Sequence, residues 1–176
     1  MEPIDLQPTL VGKHILLRPL ARADFEPLYE AASDPKIWEL NPDPNRFRRA
    51  VFDQFFDTAL QSKGALIAID RMTDTIIGSS RFHSLDRAES RLTIGYTFLA
   101  RDYWGGLYNG EMKQLMIDHA FRYVEEVVFR IGEFNLRSRK AIEKIGAELV
   151  GPEATPSIGG QIHVVYRIRR NRWKTD

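Results

Sequence analysis

The residues best suited to chemistry lie between Ile94 and Glu111. Ile94-Gly95-Tyr96-Thr97-Phe98-Leu99 reads as a strand, Ala100 to Gly106 as a loop closed by two glycines, and Leu107-Tyr108-Asn109-Gly110-Glu111 as the start of a helix. The first turn of a helix leaves backbone N–H groups without partners at the positive end of its dipole, and glycine lets a phosphate come close to the backbone. A pyrophosphate suits such a site. Leu107 breaks any G-x-G-x-x-G spacing, and Gly110 is followed by Glu111-Met112 rather than Lys-Ser/Thr. Neither a dinucleotide-fold fingerprint nor a triphosphatase loop is therefore present. Taken alone, the double glycine also fits a tight strand-to-helix turn, and both readings stand at this point.

The rest of the chain must position this segment. His14 to Leu20 reads as a strand closed by Pro19, after which Asp24 is expected to cap a helix running through Leu28 and Tyr29 toward Ser33. The proline-punctuated run Asn41 to Asn45 precedes a second helix carrying Val51, Phe52, Phe55, Phe56 and Leu60 at helical spacing, with Gly64 as its expected stop. Ala65 to Asp70, Thr75 to Phe82 and Arg91 to Leu99 are three closely spaced strands, which implies an antiparallel meander. From Gly105-Gly106 a long helix is expected through Met112, Leu115, Met116, His119, Ala120 and Tyr123, followed by a strand at Val127 to Gly132, a β-α-β crossover. Asn135 to Ile145 forms another helix stopped at Gly146, and Gln161 to Arg169 a last strand after the segment Gly151 to Gly160. The expected class is α+β, with a mixed antiparallel and parallel sheet of about six to seven strands flanked by helices.

With 176 residues, 43% of them hydrophobic, the chain has the size of one domain, taken as residues 1–176. A net charge of +1 from 25 basic and 24 acidic side chains argues against dense phosphate contact along DNA or RNA. With no cysteine, disulfides, thiolate metal sites and a cysteine nucleophile are excluded. No His/Asp/Glu set has metal-ligand spacing, so no metal is expected. The acidic start, Met1 to Asp5, lacks a basic region before an apolar run, and no apolar stretch approaches membrane-spanning length. A cytoplasmic location with no membrane contact follows as the expectation.

Four motifs in order carry a resemblance: Ile94-Gly95-Tyr96 on a strand, Tyr103-Trp104-Gly105 at a helix start, Asn135-x-x-Ser138 opening the next helix, and Ile142 to Ala147 ending it. Together they resemble the GNAT superfamily of acyl-CoA N-acyltransferases, in particular its RimJ/RimL-like branch. The match is strongest from Ile94 to Gly151 and looser elsewhere, including Leu17-Arg18-Pro19-Leu20 and Ile77-Gly78. The resemblance implies the GNAT fold and transfer of an acetyl group from acetyl-CoA to a primary amine, either a protein N-terminus or a small molecule. A noncatalytic acyl-CoA-binding module is the alternative. It also implies that main-chain amides from Trp104 through Gly105, Gly106, Leu107 and Tyr108 to Asn109 hold the CoA pyrophosphate. Tyr96, Phe98 and Leu99 would lie along the pantetheine arm on a splayed strand. Asn135 matches a pantetheine contact and Ser138 a hydroxyl near the sulfur. Asp102 stands where the family often has Gln or Arg, and Leu107 where it often has Gly or Ala.

Direct attack needs a neutral amine, polarisation of the thioester carbonyl and a proton for the departing thiolate. An α-amine, with a pKa of roughly 7.7 to 8.0, is partly neutral already, whereas a lysine at about 10.4 needs more help. A backbone N–H near Phe98 is the expected carbonyl donor, with Ser138 at the sulfur. His83, ending a strand, is a candidate base or an idle surface histidine; Glu89 and Glu39 are alternatives or simply solvated. His119 reads as packing, while Trp38 lines an acceptor pocket or anchors a loop. The basic run Arg167 to Arg172 has the chemistry to touch RNA or an acidic peptide, and is read in preference as a solvated strand end and tail. Pairing of an exposed sheet edge is the conceivable route to a homodimer.

Overall fold

A computed structural model describes residues 3–153 and 160–174. In chain order they form β1 (Leu10–Val11), β2 (Ile15–Pro19), α1 (Phe25–Ala32), α2 (Arg49–Gln61), β3 (Ala65–Asp70), β4 (Thr75–Asp86) and β5 (Arg91–Leu99). α3 (Tyr108–Ala120), β6 (Glu126–Gly132), α4 (Leu136–Lys144), β7 (Glu148–Pro152) and β8 (His163–Arg169) follow. The eight strands make one sheet in the order β1-β2-β3-β4-β5-β6-β8-β7. Pairing is antiparallel except between β5 and β6, which α3 connects as a parallel crossover. This is the expected mixed α+β sheet. Its two unforeseen strands are edge pieces, β1 of two residues and β7, which pairs with β8 across a register shift between Leu149 and Gly151.

Apolar side chains alternate across the sheet and supply a core on either face. On one face Met112, Met116, Ile117 and Ala120 of α3 and Ile142 of α4 pack on Ile15, Leu17, Leu66, Phe82 and Ile94. On the other, Leu28 of α1 and Phe52, Phe55 and Phe56 of α2 pack on Ala65, Ile67 and Phe98. The sheet thus carries a helix pair on each face, and the segment from Ile94 to Glu111 runs from its middle into α3.

Local chemistry corrects two expected ends. Asp24 stands at the N-cap position of α1 but makes no side-chain cap bond: its carboxylate accepts from the Ala21 N–H at 2.8 Å and from both terminal nitrogens of Arg18 at 2.9 and 2.8 Å, fastening the turn before the helix. Gly64 does not end α2 through a left-handed conformation. Lys63 takes that turn at φ 52°, and Gly64 is needed because a Cβ there would stand 2.1 Å from the Phe82 carbonyl oxygen. The part of the expected Gly151 to Gly160 loop at 154–159 lies outside the described residues.

Candidate functional site

The loop after β5 is an amide cradle. A 3-10 turn at Arg101–Tyr103 is closed by the Tyr103 and Trp104 N–H groups, which donate to Ala100 O and Arg101 O, each at 3.0 Å. The next internal bond is that of Glu111 N–H to Leu107 O at 2.9 Å. Among the described residues nothing accepts from the N–H groups of Gly105, Gly106, Leu107, Tyr108, Asn109 or Gly110, and no side chain caps α3. Six successive donors at the positive end of a thirteen-residue helix are the groups that an anion could use. Relative to the sequence expectation the run moves by one residue, because Trp104 spends its amide inside the 3-10 turn while Gly110 contributes one.

Gly105 has φ +69°, where a side chain is strained, and a Cβ built at Gly105, Gly106 or Gly110 meets nothing within 4 Å, so the approach is open. Leu107 is half exposed. Asp102 is exposed. The cradle is braced from behind. Trp104 Nε1 donates to Leu99 O at 2.9 Å, the Arg137 guanidinium lies 3.9 Å from the Trp104 ring centre, and Arg137 donates to Ile37 O at 3.0 Å. The Glu111 carboxylate accepts from the His14 N–H at 2.8 Å and the His14 ring at 2.9 Å, which ties the first turn of α3 to the start of β2. These contacts hold the Glu111 pKa below the usual carboxylate range, against the opposing effect of its partial burial.

A slot leads from the cradle into the sheet. β5 and β6 pair only at Arg91↔Glu126, Leu92↔Val127 and Thr93↔Val128, after which they part. Beyond that point the edge of β5 is open on the β6 side. The Ala100 N–H donates to Ile77 O of β4 at 2.8 Å; by the alternation of strand backbone, the Phe98 N–H also faces β4, while those of Leu99 and Thr97 face the slot. Of the N–H groups near Phe98, those of Thr97 and Leu99 are therefore the ones that face the slot. Between Ser79 and Arg81 the β4–β5 register shifts, and opposite that shift Tyr96 takes φ 53°, an uncommon conformation for a bulky residue. The Tyr96 ring beside the bulge is 43% exposed.

Around that ring stand His83, Arg81, Phe55 and Arg46. His83 is 5.2 Å from the Tyr96 ring, and its Nε2 lies 2.8 Å from where a Cβ on Gly95 would be. Burial first, then the Arg81 and Arg130 charges, hold its pKa down to about 4. It is neutral at pH 7 and a weak proton acceptor. Trp38 is 2% exposed, its Nε1 donating to Ala32 O at 2.8 Å and its ring 4.9 Å from that of Phe98; it stands behind the wall and anchors the α1–α2 connection. Asn135 caps α4, its Oδ1 accepting from the Ser138 N–H at 3.2 Å. The Asn135 amide nitrogen has no partner among the described residues, and Ser138 lies half-buried in the first turn of α4. Glu39 pairs with Lys36 at 3.2 Å on the surface, and Glu89 is exposed in the β4–β5 turn. His119, 5% exposed, meets Asp5 O through Nε2 at 2.7 Å and packs on Phe82. Arg167, Arg169, Arg170 and Arg172 face Glu126, Glu148 and Glu125, so the basic run is largely neutralised.

The sequence reading missed Lys113. Its ammonium is buried with no carboxylate partner among the described residues, donating to Thr97 Oγ1 of β5 at 2.5 Å and lying 5.6 Å from the Phe129 ring of β6. One lysine in an apolar helix face carries no sequence signal of its own. Burial lowers its pKa from 10.5 to about 7. The unfolded chain therefore binds this proton more tightly, and folding stability rises as pH climbs from about 7 toward 10.5. Replacing Lys113 by Met is expected to remove this slope. Between pH 7 and pH 9 the wild type should gain about 2 kcal/mol more in denaturant unfolding than the variant. Parallel stability profiles would show that the ammonium is solvated.

Among the described residues no group of three or more His, Cys, Asp or Glu could hold a metal, and no helix is long and apolar enough to cross a membrane. A family model described as an acetyltransferase (GNAT) domain matches residues 14–148. The N-acetyltransferase p20 of Bacillus licheniformis, itself uncharacterized, is 28% identical over 155 residues, which cover 85% of this chain and 77% of p20. A GCN5-related N-acetyltransferase from Brucella melitensis has the same fold, with a TM-score of 0.85 at 18% identity over 95% of this chain and 80% of that one. RimJ of Mycobacterium smegmatis, solved in complex with CoA-disulfide, gives a TM-score of 0.73 at 15% identity over 92% of this chain and 85% of its own.

Proposed function

The chain belongs to the GNAT acetyltransferase family, and on that premise we propose that it transfers the acetyl group of acetyl-CoA to a primary amine, a protein N-terminus or a small molecule. The observation that carries this reading is the run of free amides from Gly105 to Gly110 opening onto the parted edge of β5. Its shape fits a diphosphate joined to an extended, amide-containing arm. Order of motifs and the likeness to RimJ support the RimJ/RimL-like branch, and we place the reaction in the cytoplasm.

Acetyl-CoA supplies an activated acyl group: the C–N bond forms as the C–S bond breaks, and the proton lost by nitrogen ends on sulfur or in water. The chain's own part is binding and orientation. The cradle holds the diphosphate, the open edge of β5 at Tyr96 to Leu99 pairs with the arm, and the Asn135 amide nitrogen donates to a carbonyl of that arm. The Thr97 N–H, beside the bulge, polarises the thioester carbonyl. The Ser138 hydroxyl donates to the sulfur. His83, neutral at pH 7, accepts a hydrogen bond from the attacking amine without drawing a proton from an ammonium, so the amine must arrive neutral. Trp38 keeps the wall of the acceptor side in place. Pairing of two copies would run through β7, one of the two sheet edges among the described residues, where Leu149 and Val150 are exposed.

Thiol release from acetyl-CoA, followed by a disulfide dye while amines and N-terminal peptides are added, tests the reading. Release that requires both protein and amine, with the acetylated amine found by mass spectrometry, is expected. Tight acetyl-CoA binding without release from any amine would leave a binding module and refute transfer.

A further inference from the structure

Arg81 of β4 is 3% exposed, and no described residue accepts a hydrogen bond from it; its Nε and Nη2 are buried without partners. Its guanidinium lies 4.0 Å from the Tyr96 ring centre and 5.7 Å from that of Phe55. Arg46, from the α1–α2 connection, comes to the same two rings, 4.8 Å from Phe55 and 6.0 Å from Tyr96. Arg46 is partly satisfied by Asn41 Oδ1 at 3.3 Å and by the half-exposed Asp43 at 3.5 Å. Two guanidiniums thus share one aromatic clamp with one peripheral carboxylate between them, and the inner one has none.

Burying an unpaired guanidinium is costly, and an aromatic face returns only part of that cost because it accepts none of the in-plane N–H bonds. A carboxylate or phosphate would accept them in the paired geometry that guanidinium favours. The place matters as much as the charge. Tyr96 is the bulge residue in the part of β5 beyond its last pairing with β6 at Thr93, and His83 flanks its ring. The pair shares that ring with Phe55 of α2, so it stands on the sheet face opposite α3, beside the His83 that would meet the amine in the proposed reaction. The positive field is already felt at His83, whose protonation Arg81 opposes.

We propose that the acceptor is an amine carrying a carboxylate or phosphate close to the nitrogen, and that Arg81, assisted by Arg46, binds that oxyanion and sets the amine before the thioester. This rests on the transfer reading above, and adds to it the chemical class of the substrate. The anion displaces Tyr96 from the inner guanidinium and completes hydrogen bonds that the protein leaves open.

The test compares pairs of acceptors with and without the anion, with kcat/KM expressed per neutral amine because the anion raises the amine pKa, on wild type and Arg81→Gln: glycine with glycinamide, phosphoethanolamine with ethanolamine, and Ala-Asp with Ala-Asn peptide amides. The wild type should favour the anionic member by at least about tenfold in kcat/KM in one of the pairs, and the gap should close in Arg81→Gln while acetyl-CoA affinity stays the same. The pair showing the gap identifies the source of the anion as an amino-acid carboxylate, a phosphate or an acidic peptide. Equal rates within every pair, or a gap that survives Arg81→Gln, would overturn the proposal and leave acetyl transfer standing. Should no amine react at all, calorimetry of inorganic phosphate and of N-acetylglycine with the CoA-bound protein decides: binding lost in Arg81→Gln upholds the anion site, and equal or absent binding in both proteins refutes it. Should Arg81→Gln not fold, Arg46→Gln carries the same comparisons.

Discussion

Gly105→Asp is expected to weaken acetyl-CoA binding by a hundredfold or more in calorimetric titration. Two effects add. Gly105 has φ +69°, which any side chain adopts under strain of about 1 kcal/mol. The carboxylate would also sit among the six free amides, and a charge about 6 Å from a diphosphate costs on the order of 2–3 kcal/mol at the effective dielectric of a protein surface. Since 1.4 kcal/mol is a factor of about ten, their sum is roughly a hundredfold or more. Gly105→Ala carries the strain without the charge and should lose about tenfold or less. Leu107→Ala should change little, because what that residue offers the cradle is its backbone N–H. Equal affinity in wild type and Gly105→Asp would mean that the diphosphate lies elsewhere.

Trp38→Ala is expected to destabilise the fold by about 3–5 kcal/mol in denaturant unfolding, the range for a large aromatic removed from a core. The ring is 2% exposed and packs between Phe55 and Phe98, and its N–H holds Ala32 O at the end of α1. Deleting it leaves a cavity and an orphaned carbonyl. Trp38→Phe keeps most of the volume and loses the hydrogen bond, so about 1–2 kcal/mol is expected. A Trp38→Ala protein of unchanged stability but raised acceptor KM would instead make Trp38 a direct lining residue.

The sheet was legible where hydrophobic alternation is strong: β3 and β5 begin and end where the pattern says, and the α3 crossover follows from a helical period between two strands. β1 and β7 were not, because a two-residue strand and a bulged edge strand bury too little to leave a pattern. β4 runs four residues past Phe82 to Asp86, since its hairpin partner β5 extends the ladder as far as Arg91. A run of free amides could be read from Gly105-Gly106 before a helix, but its limits could not: they depend on which amides the 3-10 turn consumes. Arg81, Lys113 and Glu111 were invisible for a common reason. Each is an ordinary charged residue in a chain that is 28% charged, and only burial beside specific partners sets it apart.

Titration of the isotopically labelled protein with acetyl-CoA, followed through the backbone amide resonances, tests the central claim most directly. Saturable shifts are expected at Gly105, Gly106, Leu107, Tyr108, Asn109 and Gly110, moving downfield as free N–H groups gain phosphate acceptors, with a second set at Thr97 and Leu99 along the open edge of β5. Binding that leaves those amides unmoved while shifting others, or no binding at millimolar acetyl-CoA, would contradict both the cradle and the acetyl transfer built on it.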